Sequence, residues 1–241
     1  MSTFLLIHGA WHGAWCWDRV VPLLRAAGHG VVAPDLPALG DDRTPWWRAS
    51  LRTFSRATCD AARPARPVIA VGHSMGGLAI TQAAADEPSL FAGLVYLCAF
   101  APRRGESLLS LGRSDAASRV PAAARWGLGR ISIRPERAVA AFYNDCTAED
   151  AQRSIARLVP TPMLPLLQRV ERPDDLRVKQ AYIECTRDQA ISIEVQRRMH
   201  QRFAMQRVVT MEADHSPFLS AAEELASHLD SIAQTFTGAA S

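Results

Sequence analysis

Residues 68–77 read Val68-Ile69-Ala70-Val71-Gly72-His73-Ser74-Met75-Gly76-Gly77, and this stretch decides the fold. Four continuously apolar residues, Val68–Val71, describe a strand buried on both faces. Gly72–Gly76 has the G-x-S-x-G spacing, and Ser74–Ala85 behind it is helical in pattern until Pro88 stops it. A serine between strand and helix sits on a turn so tight that its backbone is strained and its flanks must be small. The three glycines supply that. The helix N-terminus then lies beneath the serine, where unpaired N–H groups favour developing negative charge. The other reading of such a turn, a dinucleotide-binding fingerprint, lacks its G-x-G-x-x-G spacing here.

Working outward, short apolar runs alternate with helical patterns, as in a parallel sheet with crossover helices. The other strand candidates are Phe4–Ile7, Gly30–Ala33, Leu94–Cys98, Ala181–Cys185 and Val208–Met211. Helices are expected over Pro22–Ala27, closed by Gly28, and over roughly Arg48–Ala62. A last one is capped by Ser216-Pro217, with Phe218, Ala222, Leu225, Leu229, Ile232 and Phe236 forming one stripe. The tail Thr237–Ser241 is small and polar, as fraying ends are. The segment 103–172 breaks the alternation. It holds helical pieces at Pro135–Asn144 and Glu149–Leu158 and no convincing strand, so it reads as a helical lid inserted into a core of 1–102 and 173–241. The expectation is one domain over 1–241: an α/β fold with a mostly parallel sheet of about six strands.

Length and composition agree. The chain has 241 residues, 48% hydrophobic and 21% charged, which excludes disorder and suits one buried core. Its net charge of +3 gives no basis for nucleic-acid or membrane binding, and Lys179 is the only lysine. The segment 103–172 concentrates 12 arginines against 7 acids. A solvated face accounts for this, with steering of electron-rich substrates the sharper alternative. Five widely spaced cysteines, with no CxxC pair, read as buried reduced thiols in a cytoplasmic protein. The start Met1-Ser2-Thr3 has no basic region, so Phe4–Ile7 reads as a strand and not a leader. Leu90–Ala101, the longest apolar run, is too short to span a bilayer.

A serine at its ordinary pKa needs a base, and the base an orienting acid. His200 and His228 lie in helical patterns, and His8, His12, His29 and His73 precede Ser74. His215 follows the strand Val208–Met211 in a loop at the sheet's carboxyl edge, which makes it the candidate base. A helix-capping or exposed histidine is the bland alternative. For the acid, Asp188 follows the strand Ala181–Cys185, while Asp214 adjoins His215. Neighbours in an extended loop point apart, which favours Asp188. Backbone N–H groups of Met75 and Ala10 are the candidate oxyanion donors. His8 and His12 are expected to brace the Gly9 loop through the backbone, and Trp11, Trp15, Trp17 and Cys16 to pack.

The run Phe4–Trp17 (FLLIHGAWHGAWCW) resembles the opening of the α/β-hydrolase branch that contains plant hydroxynitrile lyases and methyl-ester esterases. The likeness continues through Pro22–His29, Pro34–Pro37 and Gly72–Gly77. It returns at Tyr182–Asp188 and Glu212–His215. It implies an α/β-hydrolase fold, Ser74, Asp188 and His215 as catalytic triad, and a serine carboxylesterase acting on small hydrophobic, aryl or alkyl esters, with carbamates and xenobiotic esters in range. No cofactor and no metal is implied. The partner is a small-molecule ester, and a homodimer is compatible. The lyases of the branch carry a threonine hydroxyl in the oxyanion loop and a lysine after the catalytic histidine; read against Ala10 and Ser216, both are missing here. A hormone-type receptor of the same fold is the other rival, against which a complete triad argues. Trp126, Leu128 and Phe142 of the inserted segment are expected to line an apolar pocket, ordinary packing being the plainer alternative for each.

Overall fold

The computed structural model describes residues 1–238. The chain opens with β1 (Thr3–Ile7), α1 (Val20–Ala26), β2 (Gly30–Val32), α2 (Leu51–Ala62), β3 (Val68–His73), α3 (Gly76–Asp86) and β4 (Phe91–Leu97). An insertion follows with α4 (Leu108–Gly112), α5 (Val120–Ala123), β5 (Ala124–Trp126), β6 (Arg130–Ile133), α6 (Pro135–Phe142), α7 (Ala148–Arg157), β7 (Thr161–Pro162) and α8 (Leu164–Leu167). The chain returns through β8 (Lys179–Cys185), α9 (Ile193–His200), β9 (Arg207–Met211), α10 (Pro217–Ser220) and α11 (Ala222–Thr237).

The six expected strands form one sheet in the order β2-β1-β3-β4-β8-β9, and every neighbouring pair is parallel. The unbroken apolarity of the central strands β1, β3 and β4 has a direct cause. Alternate residues point to opposite faces, and both faces are covered. Leu5, Ile7, Ala70, Leu94 and Tyr96 join Phe54 and Leu78 of α2 and α3 in one core. Phe4, Leu6, Val71, Val95 and Leu97 join Leu24, Leu225 and Leu229 of α1 and α11 in the other. The chain leaves β1 for β2 and returns on the other side as β3, so the carboxyl ends of β1 and β3 flank the point where strand order reverses. Open parallel sheets bind ligands there.

The helices expected in the insertion are present, and the structure adds what the pattern does not reveal. β5, β6 and β7 form an antiparallel sheet, with Ala124 opposite Ile133 and Ile131 opposite Thr161. These strands are two to four residues long, and β7 contains Pro162, so none yields a periodicity. The last helix is also corrected. Ala221, at φ −146° and ψ 46°, divides it into α10 and α11. The Ser216 hydroxyl caps nothing and is buried without a partner. Asp214 Oδ1 instead pins the entry to α10, accepting the Ser216 N–H (3.0 Å) and the Ser220 hydroxyl (2.8 Å). Phe218, Leu225, Leu229, Ile232 and Phe236 are buried as the stripe requires, whereas Ala222 is half-buried. Of the tail read as frayed, Thr237 ends α11 and residues 239–241 lie outside the described ones. Among the described residues no helix is long and apolar enough to cross a membrane.

Candidate active site

Ser74 stands in the turn between β3 and α3 with φ +53°, a left-handed conformation that costs a side-chain-bearing residue about 1–2 kcal/mol. The turn is over-determined. Ser74 N–H donates to Leu97 O (3.2 Å), and its carbonyl accepts from Gly77 N–H and Phe100 N–H, both at 3.1 Å. A Cβ on Gly76 would lie 2.6 Å from Ile7 O, and one on Gly77 would collide with Phe100 O. Small flanks are therefore a steric requirement of packing the elbow against β1 and the loop after β4.

His215 follows β9, and its Nδ1 lies 2.7 Å from Asp188 Oδ2. Asp188 is buried after β8, its Oδ1 accepting the N–H groups of Ala190 (2.7 Å) and Ile191 (2.9 Å). Gln196 of α9 clamps the same loop, donating to Asp188 Oδ2 (3.2 Å) and Ile191 O (2.8 Å) and accepting the Cys185 N–H (3.0 Å). No motif signals this glutamine. Asp214, the rival acid, turns away. Besides Ser216 and Ser220 it accepts the Asp145 N–H (3.0 Å), and burial pushes its pKa up. The structure thus brings Asp188, and not Asp214, to His215.

The His73 ring lies against the His215 ring, tilted by 51° with centroids 4.6 Å apart, and its Nε2 donates to His215 O (2.8 Å). Cys98 Sγ lies 3.6 Å from that same carbonyl. His73, Cys98 and His215 have potential ligand atoms within 4.8 Å of one another. His73 Nε2 is engaged by the carbonyl and His215 Nδ1 by Asp188, while His73 Nδ1 is buried without a hydrogen-bond partner. Burial drives the His73 and His8 pKa values down and takes that of His12 to about 3, so these rings are neutral. The bracing expected of His8 and His12 is present. Their Nδ1 atoms lie 2.8 Å from Gly9 O and Ala10 O.

Gly9 brings the loop after β1 against the elbow, since a Cβ on it would lie 2.9 Å from both Ser74 Cβ and His73 Nδ1. The residue abutting Ser74 is therefore Gly9, and neither it nor Ala10 offers a hydroxyl. The backbone N–H groups of Ala10 and Met75 have no acceptor among the described residues.

Ser74, His215 and Ala10 open onto one cavity of about 550 Å³. Its wall is mostly apolar and includes Phe100, Leu108, Met163, Leu166 and Ile191. The Ser74 hydroxyl is not among the hydrogen-bond partners of the ring; such contacts tighten when substrate arrives. Trp126 and Phe142 line the cavity as expected, with Phe142 5.8 Å from the His215 ring. Leu128 does not. It sits 92% exposed in the turn between β5 and β6, which aims it outward. Of the twelve insertion arginines, Arg113 alone lines the cavity. Arg153 pairs with Glu149 and Asp150, Arg157 with Asp18, and Arg172 is buried against the Phe203 ring.

The geometry has counterparts. Residues 4–228 match the model of the alpha/beta hydrolase family. The chain is 31% identical to methylesterase 2 of Arabidopsis thaliana over 264 residues, spanning 97% of this chain and 96% of that protein. It is 40% identical to a carbendazim hydrolyzing esterase of Nocardioides sp. (strain SG-4G) over 114 residues, 46% of this chain and 47% of that protein. The crystal structure of a pyrethroid hydrolase from Sphingobium faniae JZ-2 superposes with a TM-score of 0.86 at 26% identity, over 97% of each chain.

Proposed function

The chain belongs to the alpha/beta hydrolase family, and from that premise we propose that it is a serine carboxylesterase. The observation that carries the reading is the His215–Asp188 pair at 2.7 Å, whose imidazole lines the same apolar cavity as the strained Ser74. In this mechanism His215 Nε2 takes the Ser74 proton as Oγ attacks the ester carbonyl. The Ala10 and Met75 N–H groups hold the tetrahedral oxyanion. Collapse returns the proton to the leaving alcohol, and water repeats the sequence on the acyl-enzyme. Asp188 fixes the imidazole tautomer and stabilises the imidazolium. No cofactor takes part.

The apolar wall favours esters with a hydrophobic alkyl or aryl group on one side of the carbonyl. Carbamates and larger xenobiotic esters belong in the same test, given the names of two of the relatives. Cyanohydrin cleavage is disfavoured. Lys179, the sole lysine, is bonded to Phe236 O, and Ser216 follows His215 with its hydroxyl buried. The five free cysteines suit a reducing, cytoplasmic setting.

The test is a panel of methyl and aryl esters, carbamates and cyanohydrins assayed with wild type and Ser74→Ala. Ester hydrolysis reduced at least about 10³-fold in the variant supports the reading. An unchanged rate, or aldehyde release from cyanohydrins in place of ester turnover, overturns it.

A further inference from the structure

We infer that Thr161 and Tyr143, both in the insertion, are positioning residues for the Ala10 oxyanion donor, so the insertion forms part of the catalytic machinery and is not a lid that swings clear of it. This inference rests on the esterase reading above, in which Ala10 N–H meets the oxyanion.

Two peptide planes decide where that N–H points. The Gly9–Ala10 peptide is held by its oxygen, which accepts from His8 Nδ1 at 2.8 Å, while His8 Nε2 accepts the Leu36 N–H at 3.0 Å. The next peptide, Ala10–Trp11, is held at both edges. Its oxygen accepts from His12 Nδ1 at 2.8 Å, and its N–H donates to Thr161 Oγ1 at 2.7 Å. A carbonyl can only accept, so His12 carries its proton on Nδ1. Its Nε2 is then an acceptor, and the Tyr143 hydroxyl donates to it at 2.8 Å. Tyr143 thereby selects the tautomer that grips Ala10 O.

Trp11 makes the dependence sharper. It stands at φ +63°, a conformation that a tryptophan keeps only when its surroundings impose it. All three of its polar groups are taken by the insertion: N–H by Thr161, carbonyl by the Val159 N–H (2.9 Å), and indole Nε1–H by Ile131 O (2.8 Å). Val159 and Ile131 act through the backbone, so Thr161 and Tyr143 are the two points of this seam where a side chain can be changed. Both are fully buried. The donor lies one residue before Trp11. A loop released at Trp11 is free to rotate the Gly9–Ala10 peptide away from the developing charge, and such a loss is felt in the transition state more than in the bound ester.

The experiment compares Thr161→Val, which keeps shape and loses the acceptor, with Thr161→Ser, which restores it, and Tyr143→Phe, which loses one hydroxyl. For an ester turned over by wild type, Thr161→Val is expected to lower kcat about 10- to 100-fold, part of the cost of deleting an oxyanion donor. KM should stay within about 2-fold, and the inhibition constant of an alkyl trifluoromethyl ketone, whose adduct carries the oxyanion, should rise in proportion to the kcat loss. Thr161→Ser should recover most of the rate, and Tyr143→Phe should show a smaller loss of the same kind. Wild-type kcat and ketone affinity in both Thr161→Val and Tyr143→Phe overturn the inference and leave the esterase reading intact. So does a loss in Thr161→Val that serine fails to rescue while Tyr143→Phe is unaffected. A wild type that hydrolyses no ester and is not labelled at Ser74 by a fluorophosphonate overturns the esterase reading and this inference with it.

Discussion

The Asp214 carboxylate accepts the backbone N–H of Asp145 at 3.0 Å, so the acid next to His215 in sequence is turned toward the insertion and away from the imidazole. Adjacent residues in extended backbone project to opposite sides, and the loop after β9 uses that to separate two jobs. One side orients a ring; the other ties down a loop.

Asp188→Asn and Asp214→Asn should therefore fail differently. In Asp188→Asn the oxygen stays on the Ala190 and Ile191 N–H groups, and the amide nitrogen faces His215 Nδ1, which selects the wrong tautomer. We expect kcat/KM to fall about 10⁴-fold with little change in Tm. Asp214→Asn sets a donor against the Asp145 N–H and should cost about 1–3 kcal/mol of stability while leaving kcat/KM within about 3-fold. Steady-state kinetics and thermal melts at one pH separate the two, and a larger kinetic loss for Asp214 would reverse the assignment.

Gly9→Ala tests the closeness of the oxyanion loop to the elbow. Its methyl would lie 2.9 Å from Ser74 Cβ and His73 Nδ1, both on backbone held by hydrogen bonds. Either the serine or the loop must shift, and a displacement near 1 Å at a reacting centre costs about 10²-fold. The expected result is a comparable fall in kcat in a folded protein. Unchanged kcat would mean that the loop is free to yield.

The cavity wall makes a contrasting pair. Leu128→Ser changes a residue 92% exposed in the turn between β5 and β6, and should leave kcat and KM within about 2-fold for every ester. Trp126→Ala removes a ring from the cavity wall and should raise KM for aryl esters several-fold, with kcat less affected. Equal effects of the two would contradict the cavity described here.

Glu184 supplies a pH-dependent contribution remote from catalysis. Burial raises its pKa, but hydrogen bonds from Arg197 (2.9 Å), His200 (3.0 Å) and Thr210 (2.9 Å) together outweigh it, and the net direction is down. A carboxylate whose folded pKa lies below the unfolded one stabilises above the unfolded pKa, and that contribution is lost as pH falls through the folded value. Because Arg197 is half exposed, about 1–2 kcal/mol is expected and not more. Glu184→Gln should then melt a few degrees below wild type at pH 7, the gap closing below about pH 4. A gap that persists in acid would point to packing instead.

The sequence by itself determined the sheet and the elbow, and it named His215, with Asp188 favoured over Asp214, as the side chains expected beside Ser74. Those features are written locally. The central parallel strands β1, β3 and β4 are apolar almost throughout, a strand-to-helix serine needs glycines beside it, and a loop at the carboxyl edge of a strand can be named once the strand is found. Two local readings were wrong in ways the structure explains. Ser216 reads as the cap of the last helix, but its hydroxyl is buried without a partner while Asp214 holds the Ser216 N–H, and Leu128 reads as pocket wall from apolarity alone yet points outward. Only the tertiary structure decided how the inserted segment meets the core. Thr161 and Tyr143 bond to Trp11 and His12 across 150 and 131 residues, the first from the two-residue strand β7 and the second from the end of α6. No periodicity marks such contacts. They exist because a tryptophan in a left-handed conformation leaves backbone groups pointing outward, and burial requires that something satisfy them.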